Sequence, residues 1–312
     1  DRQNLRDSAQ VTYEKASTQL RDAGDWLLLR AAGVTQDSAE RQRIFSLVRS
    51  PVARERIPWT DAQARERTGD TQGAADKFAR LGAMPSAFRL RFAVPSDSAD
   101  RQRLRGEDVG YIRAKRGTPD ARVAVEVLHA AFPPPSLTAS EELIVARSAS
   151  ASGPLARAIA GYQRGIRAPE ATSADRLDYG QVLIRAGRYR DAISQLEQVD
   201  SPRGLVALAA YQRARALLNS GARGEAKSAL RDVAERFDAD TAGASSALYL
   251  LGDLSTDDGR DDESRTIFRD LYTRYPTSSR ADDARFKSAL ISFTQGDERR
   301  AAVEFDSLVA VN

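Results

Sequence analysis

Arg185, Tyr211, Arg215 and Tyr249 are the residues whose types and spacing best suit recognition chemistry. A guanidinium offers paired donors to a carboxylate, and a phenol ring offers a flat apolar face to a sugar or peptide. On the inner side of a helix stack the four would hold a peptide carboxylate or a sugar face. The competing account is that the tyrosines pack between helices and the arginines pair with neighbouring acids. Catalysis has less to work with. There is no cysteine, and the one histidine, His129, cannot form a two-histidine zinc pair and reads as structural. No phosphate-binding Gly-x-x-x-x-Gly-Lys-Ser/Thr loop occurs, and Gly161 and Gly165 lie in a helical segment without the strand a dinucleotide site needs. Asp257, Asp258, Asp261, Asp262 and Glu263 crowd a turn but lack the alternating ligand spacing of a calcium loop. Trp26 and Trp59 could stack on a sugar or peptide; their apolar or helix-starting surroundings favour packing. The expectation is no catalytic residue, no metal site and no cofactor.

These side chains need elements to hold them, and composition sets the class. The chain has 312 residues, 41% hydrophobic and 29% charged, with few glycines and prolines outside the joints between periodic segments. That describes an ordinary folded protein. Lys15, Lys77, Lys115, Lys227 and Lys287 are the only lysines among 47 basic residues, and the arginines interleave with 44 acids along the whole length. Such mixing reads as a salt-bridged helix surface, not a nucleic-acid footprint, despite a pI near 9.2. No apolar run approaches the roughly 18 residues needed to span a bilayer. The chain opens on Asp1, which leaves room for an export signal removed upstream.

The strongest pattern is a small residue seven positions before a turn glycine. The pairs are Ala62/Gly69, Gly110/Gly117, Ala146/Gly153, Gly180/Gly187, Ala214/Gly221, Gly252/Gly259 and Ala289/Gly296. In all but the Gly117 unit a second small residue follows the turn by five (Ala74, Ala158, Ala192, Ala226, Ser264, Ala301). A large residue comes four later (Phe78, Tyr162, Leu196, Leu230, Phe268, Phe305). Two antiparallel helices that cross closely need this arrangement, because a bulky crossing residue would push them apart and the glycine closes the turn between them. By the same logic Ala214 and Gly252 resist enlargement, while Arg223 reads as an exposed, insensitive position. From Gly117 onward the glycines lie about 34 to 38 residues apart, which resembles the period of tetratricopeptide repeats. The predicted fold is therefore all-α, a right-handed superhelix of tetratricopeptide-like hairpins.

Boundaries follow from the pattern's regularity. Residues 1–50 read as an irregular helical cap with breaks near Gly24 and Gly33. Residues 51–170 read as degenerate hairpins, with helices starting at Pro58 and Pro119 and a hairpin of Ala139–Ala151 and Leu155–Arg167. Its entry is the Pro133-Pro134-Pro135 loop, with Thr138 or Ser140 as cap. Residues 171–312 read as regular tetratricopeptide-like repeats, with Pro276 ending a helix after Tyr275.

The segments Asp25-Trp26-Leu27-Leu28-Leu29-Arg30-Ala31-Ala32, Arg56-Ile57-Pro58-Trp59 and Gly69-Asp70-Thr71-Gln72-Gly73-Ala74-Ala75-Asp76-Lys77-Phe78 resemble the N-terminal superhelical region of soluble lytic murein transglycosylases. Later units such as Tyr211-Gln212-Arg213-Ala214-Arg215 and Tyr272-Thr273-Arg274-Tyr275-Pro276 are similar to its tetratricopeptide-like stretch. In that family a separate lysozyme-like domain cleaves peptidoglycan through one glutamate, within a Glu-Ser signature followed by a Gly-Leu-Met-Gln-like segment. Glu263-Ser264 is the one Glu-Ser pair here; Ser264 occupies a crossing position and no such segment follows. The resemblance implies a non-catalytic region in the periplasm or cell envelope that positions peptidoglycan strands and docks a catalytic domain absent up to Asn312. The alternative is an envelope adapter that binds a protein or peptide partner. Nucleic acid is not an expected partner.

Overall fold

The computed structural model describes residues 2–133 and 136–311, so Pro134 and Pro135 of the expected loop lie outside the described residues. Helices joined by turns make up the chain, with no strand among the described residues. Two compact units divide it, Asp1–Ser152 and Gly153–Asn312. The first contains α1 (Arg2–Gln19), α2 (Gly24–Val34), α3 (Ser38–Leu47), α4 (Pro51–Arg54), α5 (Ile57–Thr68), α6 (Thr71–Arg80), α7 (Met84–Ala93), α8 (Ser98–Ala114), α9 (Pro119–Ala131) and α10 (Ala139–Ser152). The second contains α11 (Leu155–Gly165), α12 (Ser173–Arg185), α13 (Tyr189–Leu196), α14 (Arg203–Asn219), α15 (Arg223–Arg236), α16 (Thr241–Asp257), α17 (Asp261–Arg274), α18 (Ala281–Thr294) and α19 (Glu298–Val311).

From α12 to α19 each helix packs on the next, and α14 also packs on α12 and α16. The chain is an all-α solenoid of helical hairpins. Six of the seven turn glycines adopt left-handed φ between 70° and 89°, a conformation that closes a helix at little cost only for glycine. Gly153 is the exception. It precedes Pro154, whose ring clashes with an α-type backbone at the preceding residue, and it is where the two units divide. That division falls inside the hairpin drawn from Ala139 to Arg167: α10 packs on α8 and α9, and α11 packs on α12. Thr138, not Ser140, caps α10, accepting from the Glu141 amide at 3.3 Å while Glu141 accepts from the Thr138 amide at 2.8 Å.

The crossings are as close as the small residues require. A Cβ on Gly252 would lie 2.6 Å from Phe268 Cε1, and one on Gly180 would lie 2.6 Å from Leu196 Cδ2. These are the small and large members of single sequence units. Gly110, whose unit lacks the second small residue, has open space around its missing Cβ.

Arginines fasten one repeat to the next. Arg223 Nη2 donates to the Leu254 carbonyl at 3.0 Å and Arg203 Nη2 to the Arg236 carbonyl at 3.1 Å. In the first unit Arg101 Nη2 reaches the Ala131 carbonyl at 3.0 Å and Arg116 Nε the Arg147 carbonyl at 3.0 Å. The Ala131 and Arg236 carbonyls end their helices, where no intrahelical donor remains; the Leu254 carbonyl also accepts from the Asp258 amide at 3.3 Å. Arg223 also pairs with Asp258, which overturns its reading as an insensitive surface position: it ties α15 to the end of α16.

Two buried aspartates in the first unit behave oppositely. Asp61 on α5, 2% exposed, accepts from Arg41 Nε of α3 at 3.0 Å, Lys77 Nζ of α6 at 2.6 Å and Arg65 Nε at 3.2 Å. Burial opposes its charge, but the hydrogen bonds and charges of Lys77 and Arg65 outweigh it and hold the carboxyl below its ordinary 3.8. Asp108 on α8 is fully buried, and neither carboxylate oxygen has a hydrogen-bond partner. Burial alone pushes its pKa up to about 7.

Two sets of outcomes follow from these contacts. Gly252→Leu should cost about 1–3 kcal/mol through overpacking, and Arg223→Leu about 1–2 kcal/mol through the lost carbonyl and carboxylate bonds. Gly106→Ala, on an open face of α8, should stabilise by about 0.5–1 kcal/mol. Denaturant melts of the three variants check the register, which is wrong if they melt alike. The aspartates separate by pH. The folded state binds the Asp108 proton more tightly than the unfolded chain, so that stability is present in acid and is lost as pH rises through about 7. Asp61, depressed, contributes stability above 3.8 that is lost as pH falls through its lower folded value. Asp108→Asn should therefore raise the melting temperature at about pH 8 and leave it nearly unchanged at about pH 4. Asp61→Asn should cost about 3 kcal/mol at neutral pH, because Arg41 is left buried without its counter-charge.

Candidate functional sites

In the second unit the site starts from α14, α16 and α18, the first helices of successive hairpins. Tyr211 and Arg215 lie four residues apart on α14, with the guanidinium carbon 6.0 Å from the ring centroid. Tyr211 packs partly against the core around Ala207 and Leu251. Arg215 is exposed, donates to Gln212 Oε1 at 3.3 Å and forms no ion pair with a carboxylate among the described residues. Tyr249 on α16 is enclosed differently. Lys287 and Arg280 of the following hairpin sit 4.5 Å and 4.9 Å from its ring centroid, and Phe268 lies 5.8 Å away. Its ring is engaged by the stack itself. Arg185, exposed, is the last residue of α12.

Next to this row a cavity of about 630 Å³ opens between the three helices, with Leu218, Leu250, Leu254, Leu290 and Ile291 in its walls. An ion pair between Lys287 and Asp253 crosses it. Burial disfavours the Lys287 cation, but the hydrogen bond to Asp253 overcomes this and raises its pKa. Beyond the cavity, α18 presents Phe286, Leu290 and Phe293 at 50%, 43% and 57% exposure, a spacing of four and three that places them on one helix face. Phe286 takes the repeat position of Tyr211 and Tyr249, and Leu290 that of Arg215 and Asp253. The lining residues Leu218, Leu250 and Leu290 were missed because an exposed leucine and a core leucine look alike in sequence. Projecting the Arg215 position through Asp253 is the signal that finds Leu290; none marks Leu218 or Leu250.

The first unit carries a second concavity, about 430 Å³, between α2 and α5 with Tyr13 of α1 at its edge. Trp26 and Arg30 face it from α2, and Arg56, Trp59, Gln63 and Arg67 from α5 and its entry. Trp26 is 47% and Trp59 39% exposed, so each ring is only partly packed, Trp59 by a T-shaped contact with Phe78 at 5.2 Å. The signal was the spacing: Trp26 and Arg30 are one turn apart, as are Trp59, Gln63 and Arg67.

The remaining candidates resolve into structure. Glu263 is bonded by Arg231 at 3.1 Å and Arg260 at 3.2 Å. Burial opposes its charge, yet the two arginines hold its pKa below the ordinary glutamate value, the wrong direction for a general acid. Ser264 Oγ donates to the Gly252 carbonyl at 2.9 Å, inside the crossing. Asp258 is paired with Arg223 and Lys227, and no group of three His, Asp or Glu side chains among the described residues converges as a metal site. His129 lies half-buried on α9. No helix among the described residues is long and apolar enough to cross a membrane.

Residues 246–278 match the family model of the tetratricopeptide repeat. That stretch spans most of α16 and all of α17, the hairpin whose crossing is Gly252 on Phe268. No curated protein matches the chain. The second unit is thus a tetratricopeptide-like helical module, and its groove lies on the first helices of the hairpins.

Proposed function

We propose that the chain is a non-catalytic helical-repeat scaffold that holds an apolar segment of a protein partner against α14, α16 and α18. The observation that carries this reading is the continuity of the cavity with the exposed face of Phe286, Leu290 and Phe293: Leu290 belongs to both. A groove with leucine walls whose charges are paired with one another, Lys287 with Asp253 and Arg223 with Asp257, suits the apolar stripe of an amphipathic helix, read at i, i+3 and i+4. Arg215, outside the cavity lining on α14 and without a carboxylate partner among the described residues, would meet an acidic residue or the carboxyl end of the segment. Selection of peptides from a displayed random library on the intact chain tests this. Binders should carry apolar residues at helical spacing, and Leu290→Asp should weaken them at least tenfold with the melting temperature nearly unchanged, while Arg215→Ala weakens only those with an acidic end. Binders indifferent to Leu290→Asp place the partner elsewhere.

A second reading is the envelope role implied by the murein transglycosylase resemblance, with peptidoglycan strands as ligand and a docked catalytic domain. It is supported by where the resembling segments lie: 25–32 on α2, 56–59 at the start of α5 and 69–78 largely on α6, with α5 packed on both α2 and α6. Three short stretches scattered in sequence form one neighbourhood. On this reading the chain sediments with purified peptidoglycan and releases no anhydro-muropeptides from it. Failure to sediment, or release of such products by the chain alone, removes the reading.

A further inference from the structure

The cavity between α2 and α5 gathers three arginines and two tryptophans. Some guanidinium groups of the same unit are matched by acids, as Arg65 is by Asp61 and Asp70 and Arg43 by Glu14 and Glu40. Among the described residues no aspartate or glutamate lines this concavity, whereas Arg30, Arg56 and Arg67 all do. None of the three forms an ion pair among the described residues. Arg67 is the best placed of them. Its Nε donates to the Gln63 carbonyl at 3.1 Å, which fixes the stem along α5, and its terminal nitrogens lie over Gly33 of α2, 3.6 Å and 3.7 Å from where a Cβ would stand. The guanidinium thus lies within ordinary contact distance of the α2 backbone at residue 33. Burial, and after it the charge of Arg6, work against its cation, and the charge of Glu66 offsets them only in part.

Beside these donors stand the two tryptophans. Both residues remain substantially exposed, so apolar ring area is open to a ligand. The T-shaped contact with Phe78 sets the plane of the Trp59 ring. Thr60, Gln63 and Tyr13 add neutral hydrogen-bonding groups at the edge. Three features therefore meet in one space of ligand size: indole surface for a flat apolar ring face, unpaired arginine forks for an anion, and hydroxyl and amide groups for hydroxyls.

We propose that this cavity binds a pyranose sugar bearing a carboxylate, the ring seated on Trp26 or Trp59 and the carboxylate held by Arg67 with Arg30 or Arg56. A purely apolar ligand leaves the arginines unmatched, and a simple inorganic anion leaves the indoles uncovered. A carboxylated pyranose uses both. The inference stands on this cavity alone, so its failure leaves both readings of the preceding subsection in place.

Composition supplies the assay. Trp26 and Trp59 are the only tryptophans in the chain, so tryptophan emission reports on this site and nothing else. The intact chain is titrated with glucuronate, whose carboxylate is on the ring, with N-acetylmuramate, whose carboxylate is on an ether arm, with glucose and with sulfate. Saturable change of emission in the millimolar range with glucuronate or N-acetylmuramate is expected, and the tighter of the two shows where the carboxylate sits. Arg67→Gln should weaken that binding at least tenfold while the melting temperature stays within a few degrees. Trp26→Phe should keep binding measurable through Trp59. Equal binding of glucose would remove the role of the arginines, equal competition by sulfate would reduce the cavity to an anion site, and no response to either acid would end the proposal. Should Arg67→Gln unfold the chain, Arg30→Gln with Arg56→Gln on the exposed rim serves in its place, with the same tenfold loss expected and unchanged affinity overturning the assignment.

Discussion

Close helix crossing is the constraint on which the second unit depends. Phe268 occupies the space a side chain on residue 252 would take, and Leu196 does the same at residue 180. Once the two helices of a hairpin meet that closely, the turn must be short. A short turn after a helix calls for a left-handed residue, which is why the turn glycines sit about seven residues beyond the crossing. The second small residue follows for the same reason: Ser264 is fully buried and its hydroxyl returns a hydrogen bond to the Gly252 carbonyl. A serine is tolerated there because its polar atom is satisfied within the crossing. The large residue four positions on then fills what the small ones leave.

A second requirement arises because a stack of hairpins ends many helices side by side, and each end leaves carbonyls without intrahelical donors. The chain meets part of it with arginine, at the terminal carbonyls of Ala131 and Arg236. Arg203, Arg223, Arg101 and Arg116 each send a guanidinium nitrogen to a carbonyl about thirty residues away. A lysine would place a point charge there; the guanidinium fork reaches a carbonyl and a carboxylate together, as Arg223 does with Leu254 and Asp258. The excess of arginine over lysine thus has a structural use at these positions. The acids interleaved with it are partners more than a surface coating, as Asp258 and Glu263 show.

What the sequence makes legible is what repeats. The crossings at Gly180 and Gly252, the turns and the hairpins from α12 to α19 are each written in several copies, so one ambiguous residue does not obscure the pattern. Gly153 departs from it because the following proline forbids the conformation, a local fact that the spacing alone passes over. The sites are harder to read because exposure is a property of the assembled surface. Trp26 on an apolar segment has the signature of a core residue, and only the placement of α5 beside α2 shows that its ring faces solvent with Trp59. Tyr249 fails in the opposite direction. Its position on the inner row is legible, but the cations that cover it, Arg280 and Lys287, belong to the next hairpin. Arg223 looked dispensable for the same reason: its partners lie one repeat on.

The division of labour within a repeat explains why recognition and fold can coexist in so regular a chain. Positions at the crossing are held to small residues by contacts under van der Waals distance, so they change little from unit to unit. Positions one residue further round the first helix carry different side chains from unit to unit. Arg215, Asp253 and Leu290 occupy that position in three successive hairpins: the first has no carboxylate partner among the described residues, the second pairs with Lys287 of the next hairpin and the third is bare hydrocarbon. Along one groove the surface passes from cationic through internally neutralised to apolar without disturbing a single crossing. A ligand that read this row would need the complementary order, acidic at one end and apolar at the other, and reversing it would leave Arg215 against hydrocarbon and the leucines against charge. Direction, more than composition, is therefore what such a groove can discriminate.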